Sequence, residues 1–162
     1  MYSSHYLYDA DESVKPYIVE AKKREKPRRV KEYNLNARRE IDGELTQKAI
    51  DFIKRSTKAN QPFFTFIPFT HAHLPTTAHP DFAGKTGNGA YADVLAEIDF
   101  RTGEILDALE NLGISDNTVV FWLSDNGPEE IEGYHGTAGY WRGHYFTALE
   151  GSLRVPALIR WP

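Results

Sequence analysis

The sequence predicts an α/β fold, with a mostly parallel sheet flanked by helices. Two apolar runs, Phe63–Phe69 and Thr118–Leu123, read as strands that could be buried on both faces. Between them, Tyr91–Leu112 carries apolar residues at helical spacing. Strand, loop, helix, strand is a βαβ unit, whose usual outcome is a crossover between parallel strands.

The elements follow in order. Residues 1–20 are Tyr-rich, with a short strand at Tyr17-Ile18-Val19. Lys22–Lys31 is strongly basic, contains Pro27 and has few apolar residues, so it reads as a solvated loop. Its sharper reading is a basic rim that steers an anionic substrate. Leu45–Lys58 reads as a helix burying Leu45, Ala49, Phe52 and Ile53, and Asn60-Gln61-Pro62 ends it. The first strand of the βαβ unit leads into a polar loop, Thr70–Gly89. In the Tyr91–Leu112 helix, Val94, Leu95, Ile98, Ile105, Leu109 and Leu112 form the buried stripe. Glu97 and Arg101 form an i,i+4 pair on its exposed side, and Gly113 caps its end. A Gly- and aromatic-rich loop runs from Gly127 to Tyr145, and Ala157–Trp161 reads as a last strand.

Composition narrows the function. A length of 162 residues suits one domain, and 41% apolar residues allow a sizeable core. The net charge of −4 does not favour nucleic acid, and no stacking aromatics alternate with the basic run. No apolar run is long enough to span a membrane. The first eight residues, Met1–Tyr8, lack the basic start and apolar stretch of a signal peptide. With no cysteine, the chain has no disulfide, thiolate metal site or cysteine nucleophile. Lys85-Thr86-Gly87 lacks the upstream glycine of a phosphate loop, and there is no Gly-x-Ser-x-Gly elbow.

Ser124-Asp125-Asn126-Gly127-Pro128 is the most informative stretch. An acid and an amide at the C-terminal mouth of a strand are placed to hold a hard cation through oxygen ligands, and Gly127-Pro128 turns the chain so that both stay at the rim. The alternative is an Asx-type turn. Thr70-His71-Ala72-His73-Leu74-Pro75 brings two histidines to another strand exit, where a pair could bind a metal or one could act on a bound anion. They could also be loop residues without a task.

With Glu150-Gly151-Ser152-Leu153-Arg154-Val155-Pro156 downstream, the order and spacing of these segments resemble the sulfatase family of the alkaline-phosphatase-like superfamily. The resemblance spans about residues 40–162 and implies a partial alkaline-phosphatase-like domain. On this reading 1–39 is a variable, basic, loop-rich segment and 40–162 the later part of a sulfatase catalytic domain. The resemblance implies hydrolysis of a sulfuric ester, with Asp125 and Asn126 as ligands to Ca2+, or to Mg2+. It implies that His73, two residues before a proline, hydrogen-bonds the sulfate ester near the leaving oxygen; His71 does not match that position. Many sulfatases carry a sulfate-binding lysine where this chain has Tyr145, and no lysine follows Lys85. Arg142 or His144 could substitute, although Arg142 could equally form a structural ion pair. Arg154 reads as structural, pairing with Glu150 if that stretch is helical.

The family's nucleophile is a formylglycine made from the first residue of Cys-x-Pro-Ser-Arg or its serine version, after a strand with two metal-binding aspartates. Neither is present, so the chain reads as a sulfatase fragment, inactive alone, whose partners are the missing N-terminal segment and a sulfate-ester small molecule or sulfated glycan. A phosphodiesterase or phosphonate hydrolase of the same superfamily, or a non-catalytic anion-binding remnant, are the alternatives. With strands short of neighbours, the isolated chain is expected to be poorly folded.

Overall fold

The computed structural model describes residues 16–130 and 136–162. The Met1–Tyr8 segment and residues 131–135 of the Gly-rich loop lie outside the described residues. The chain divides into two compact units, Met1–Ala108 and Leu109–Pro162.

The first unit begins with a hairpin. Strands β1 (Tyr17–Glu20) and β2 (Arg28–Glu32) pair antiparallel, Tyr17 opposite Glu32 and Glu20 opposite Arg28. The strand expected at Tyr17-Ile18-Val19 is β1. The basic run is a loop only as far as Pro27, and its second part is β2. Arg28 pairs with Glu20 at 2.8 Å, Lys31 with Glu44, and the Arg29 guanidinium lies 4.5 Å from the Tyr17 ring centre. Partners of this kind let charged residues occupy a hairpin.

Helix α1 spans Leu35–Lys58, ten residues longer at its N-terminus than the apolar pattern suggested. Asn34 starts it: its backbone is extended and its side-chain oxygen accepts the Ala37 N–H at 3.0 Å. Apolar periodicity misses the first turns because two charged side chains, Arg38 and Asp42, face inward there. Ile18, Tyr33, Ala37 and Ile41 form a small core beneath the hairpin, with Leu45 against it. Replacing Asn34 by alanine is expected to cost about 1 kcal/mol, read as a lower urea midpoint of the α1 signal.

Phe63–Phe69 is not a strand of a sheet. Its residues are alternately exposed, and it pairs with no strand among the described residues. Phe64 and Phe66 are 87% and 78% exposed. An extended segment becomes a buried central strand only if neighbours take up its backbone groups on both sides. Helix α2 (Ala90–Asn111) matches the expected helix closely. Val94, Ile98 and Leu109 are buried on it as expected, but Leu95 is 44% exposed. Gly113, at φ +67°, donates its N–H to Glu110 O at 2.8 Å, while Ile114 N–H reaches Leu109 O, a glycine-capped helix end.

The second unit holds β3 (Val120–Leu123), a four-residue helix α3 (Glu150–Leu153) and β4 (Ala157–Arg160). Strands β3 and β4 pair antiparallel, Val120 opposite Arg160 and Leu123 opposite Ala157. The expectation of a mostly parallel sheet is therefore corrected: among the described residues both sheets are two-stranded and antiparallel. The βαβ argument required Phe63–Phe69 to be a paired strand, and it is not. Among the described residues the only neighbour of β3 is β4, which returns from the short α3 in the opposite direction.

Candidate functional site

The histidine loop of the first unit is anchored by charges buried in its helices. Arg38 and Asp42 of α1, together with His71 and Glu97, are fully buried. The Arg38 guanidinium donates to Pro75 O and Thr70 O at 2.8 Å, to Tyr33 Oη at 2.9 Å and to His73 O. The Asp42 carboxylate accepts the backbone N–H groups of Thr70 and His71 and the Thr70 hydroxyl, at 2.9–3.0 Å. His71 Nδ1 lies 2.9 Å from Glu97 Oε2, and its Nε2 meets the Arg38 carbonyl. Glu97 Oε2 also accepts the His79 N–H at 2.8 Å. Backbone from Thr70 to His79 is thus tied to α1 and α2 at several points.

Burial pulls the His71 pKa down. The Glu97 hydrogen bond, the charges of Asp42 and Glu97 and the Arg38 carbonyl outweigh it and leave the pKa raised. For Glu97, burial pushes the pKa up, but the His71 and His79 hydrogen bonds and the charges of His71 and Arg101 hold it below its ordinary value. The expected exposed Glu97–Arg101 pair is corrected. Arg101 Nε does lie 3.5 Å from Glu97 Oε1, but Glu97 is fully buried, turned inward toward His71 and His79.

His73 is exposed where His71 is buried. Its Nδ1 donates to Leu74 O at 2.8 Å. His79 lies 3.1 Å from Glu40 and 3.4 Å from Asp81. The Lys85-Thr86-Gly87 loop does not cradle an anion. The amides of Gly84 and Thr86 and the Thr86 hydroxyl donate to Asp93 at 2.7–3.0 Å, which lowers the Asp93 pKa.

In the second unit Asp125 and Asn126 follow β3 directly. Asp125 is exposed and Asn126 half-buried. The Asn126 side-chain N–H donates to Gly127 O at 2.8 Å, so the amide oxygen is the atom left for a cation. A carboxylate and an amide carbonyl suit a hard cation such as calcium or magnesium. Among the described residues no three His, Asp or Glu side chains form a group that could hold a metal. The donor chemistry fits as two ligands of a larger set.

Three glycines hold this turn against the rest of the unit. A Cβ on Gly127 would sit 1.9 Å from Gly151 O, and one on Gly151 would sit 2.1 Å from Gly143 O. Gly127 N–H donates to Ser152 O at 2.9 Å and Gly151 N–H to Arg142 O at 2.8 Å. Tyr145 N–H donates to Pro128 O at 2.9 Å. The backbones of Asn126–Pro128, Arg142–Tyr145 and Gly151–Ser152 are therefore in direct contact, which sequence order alone did not reveal. The signal was available in the three glycines, each alone unremarkable.

Arg142 is exposed, and no ion pair involves it among the described residues. His144 has both ring nitrogens engaged, Nδ1 with Tyr145 O at 2.9 Å and Nε2 with Glu130 at 2.9 Å. Arg154 pairs with Glu150 across α3 as expected, and its guanidinium lies 4.2 Å from the Trp141 ring centre. His73 belongs to the first unit and Asp125, Asn126, Arg142 and His144 to the second. No helix among the described residues is long and apolar enough to cross a membrane.

The chain is 37% identical over 128 residues to an N-acetylgalactosamine-6-O-sulfatase of Bacteroides thetaiotaomicron, covering 73% of this chain and 25% of that protein. It is 40% identical over 124 residues to the steryl-sulfatase of Rattus norvegicus, covering 73% and 21%. The chain thus spans about a quarter or less of the length of these curated relatives. The crystal structure of the PsFucS1 sulfatase from Pseudoalteromonas sp. superposes with a TM-score of 0.81 at 27% identity, over 88% of this chain and 29% of that one. The sequence profile of the sulfatases matches residues 6–162, so the chain belongs to the sulfatase family, as a partial alkaline-phosphatase-like fold.

Proposed function

We propose that this chain is the part of a sulfuric ester hydrolase that supplies two metal ligands and a sulfate-contacting histidine, and that it does not turn over substrate alone. The observation that carries this reading is the Asp125-Asn126 pair at the exit of β3, held by the Gly127–Gly151–Gly143 contact in a chain of the sulfatase family. Asp125 and Asn126 would hold calcium, or magnesium, through one carboxylate and one carbonyl oxygen. When bound, the cation offsets charge on the sulfate oxygens.

His73 acts on the ester itself. Exposed at its loop, the His73 imidazolium can donate a ring proton to the bridging oxygen as the S–O bond breaks, so the alcohol leaves neutral. Arg142 is the exposed cation beside the Gly151 backbone and is assigned to a sulfate oxygen. His144 can join only by exchanging its Glu130 contact. The nucleophile is a formylglycine supplied from outside this chain. The N-acetylgalactosamine-6-O-sulfatase name of one relative favours a sulfated glycan as substrate class.

Terbium luminescence of the full chain, competed by calcium, tests the metal assignment. Two ligands predict weak binding, with a dissociation constant of about 1 mM or above. Asp125→Asn is expected to weaken it at least several-fold. Equal terbium binding by wild type and Asp125→Asn would remove the metal assignment. In the same buffer an aryl sulfate is expected to stay intact, and turnover by the chain alone would refute the fragment reading. Hydrolysis of an aryl phosphodiester instead would favour the phosphodiesterase branch.

A further inference from the structure

His71 matches no part of the proposed chemistry, yet it is the most deeply buried histidine of the described residues, at 0% exposure. Both of its ring nitrogens face acceptors. Nδ1 meets the Glu97 carboxylate and Nε2 meets the Arg38 carbonyl. A carbonyl oxygen has no proton to give, so Nε2 must carry one. Glu97 Oε2 already accepts the His79 N–H at 2.8 Å, as an ionised carboxylate does. Nδ1 therefore donates too, and the ring is an imidazolium.

We propose that His71 is a positioning residue for His73: a buried imidazolium latch that fixes the Thr70–His79 loop between α1 and α2 and so sets where the His73 ring stands. The latch works through backbone. The His71 N–H is held by Asp42 at 3.0 Å, its ring ties α1 to α2, and Glu97 holds the His79 N–H at the far end of the loop. His73 lies between those anchors, with its own carbonyl on the Arg38 guanidinium. The charges facing His71 are Asp42 from α1 and Glu97 from α2, while the Arg38 carbonyl faces its Nε2. Arg101 stands behind Glu97, with its Nε 3.5 Å from Glu97 Oε1. Those two atoms have no hydrogen-bond partner of their own, so Arg101 offsets the second Glu97 oxygen by charge alone.

The latch has a pH window. The raised His71 pKa means its contribution is complete below about 6.5, the unfolded value, and is lost as pH rises through the folded value. The lowered Glu97 pKa means its contribution is complete above about 4.3 and is lost as pH falls through the folded value. The loop is held best in mildly acidic solution and loosens toward alkaline pH.

The consequence for catalysis rests on His73 contacting the ester, but the latch itself is tested without substrate or metal, so the two ideas fail separately. The test compares the full chain with Glu97→Gln and Glu97→Asp. Glutamine keeps the size and an accepting oxygen, so it can fold, but it removes the charge. Two readouts are taken from pH 5 to 9: nitrogen-15 shifts of the His71 ring, and exchange protection of the Thr70, His71 and His79 amides. In the wild type both ring nitrogens are expected to be protonated at neutral pH, and amide protection to fall as the ring deprotonates. In Glu97→Gln the His71 midpoint drops, and protection at neutral pH falls roughly tenfold or more, the loss expected for a charge-assisted hydrogen bond. Glu97→Asp, which keeps the charge, restores part of that protection. A neutral His71 ring at pH 7 overturns the proposal, as do loop amides that exchange at random-coil rates in the wild type. Protection that follows neither the His71 titration nor the charge at position 97 overturns it too.

Discussion

Gly127→Ala is expected to dismantle the packing around Asp125 and Asn126 while leaving the first unit intact. The added Cβ would lie 1.9 Å from Gly151 O, 2.9 Å from Gly151 C and 2.9 Å from Ser152 Cα. All three are backbone atoms, so no side chain can swing away to make room. The same contact carries the Gly127 N–H bond to Ser152 O, and separating the two segments to admit the methyl breaks it. Overpacking of this kind costs about 1–3 kcal/mol, and more when the obstacle is backbone. Gly151→Ala meets Gly143 O at 2.1 Å and is expected to behave alike. Once the first substitution has parted the segments, the second should add little, so the double variant should cost less than the sum. Hydrogen exchange resolves this within one sample. Protection at the Gly127 and Gly151 amides should collapse, while that of α1 stays at its wild-type level. Unchanged protection at those two amides would show that the close approach is not needed.

The sequence made the local elements legible and the long-range ones much less so. Tyr91–Leu112 was readable as a helix because its buried residues are apolar and its end carries a glycine. The first ten residues of α1 were not, because Arg38 and Asp42 face inward there. An inward charge is indistinguishable from a surface charge until its partners are known. Those partners are backbone groups of Thr70, His71, His73 and Pro75, which are far along the chain and have no side-chain signature. Phe63–Phe69 shows the converse. Its composition suits a buried strand, yet a strand exists only through neighbours, and among the described residues it has none. For the candidate site, the segments carrying His73, Asp125, Asn126, Arg142 and Glu150 could be picked out from residue type and order. That Asn126–Pro128, Arg142–Tyr145 and Gly151–Ser152 touch could not, since backbone contacts between glycines leave no periodic pattern.

Arg38→Met is expected to be the most damaging single change in the first unit. Methionine approximates the length of the arginine stem, so the space stays filled and the effect isolates the guanidinium. Removing it takes the guanidinium bonds from the carbonyls of Thr70, His73 and Pro75 and from the Tyr33 hydroxyl, although Thr70 O keeps the His73 N–H and Pro75 O the Thr77 hydroxyl. A hydrogen bond to a charged donor is worth about 1.5–3 kcal/mol, so losing several is a large share of the stability of a small unit. The loss should fall on the loop first, because Arg38 is the group that grips it at three carbonyls. Hydrogen exchange should therefore show Thr70–His79 opening at lower denaturant than the β1–β2 hairpin, which Arg38 reaches only through Tyr33. Arg38→Lys keeps the charge but offers a single nitrogen in place of the planar fork, so it should recover only part of the stability. If Arg38→Lys equals the wild type, charge alone holds the loop and the fork geometry is incidental. If Arg38→Met equals it as well, the buried guanidinium is not what keeps the His73 loop in place.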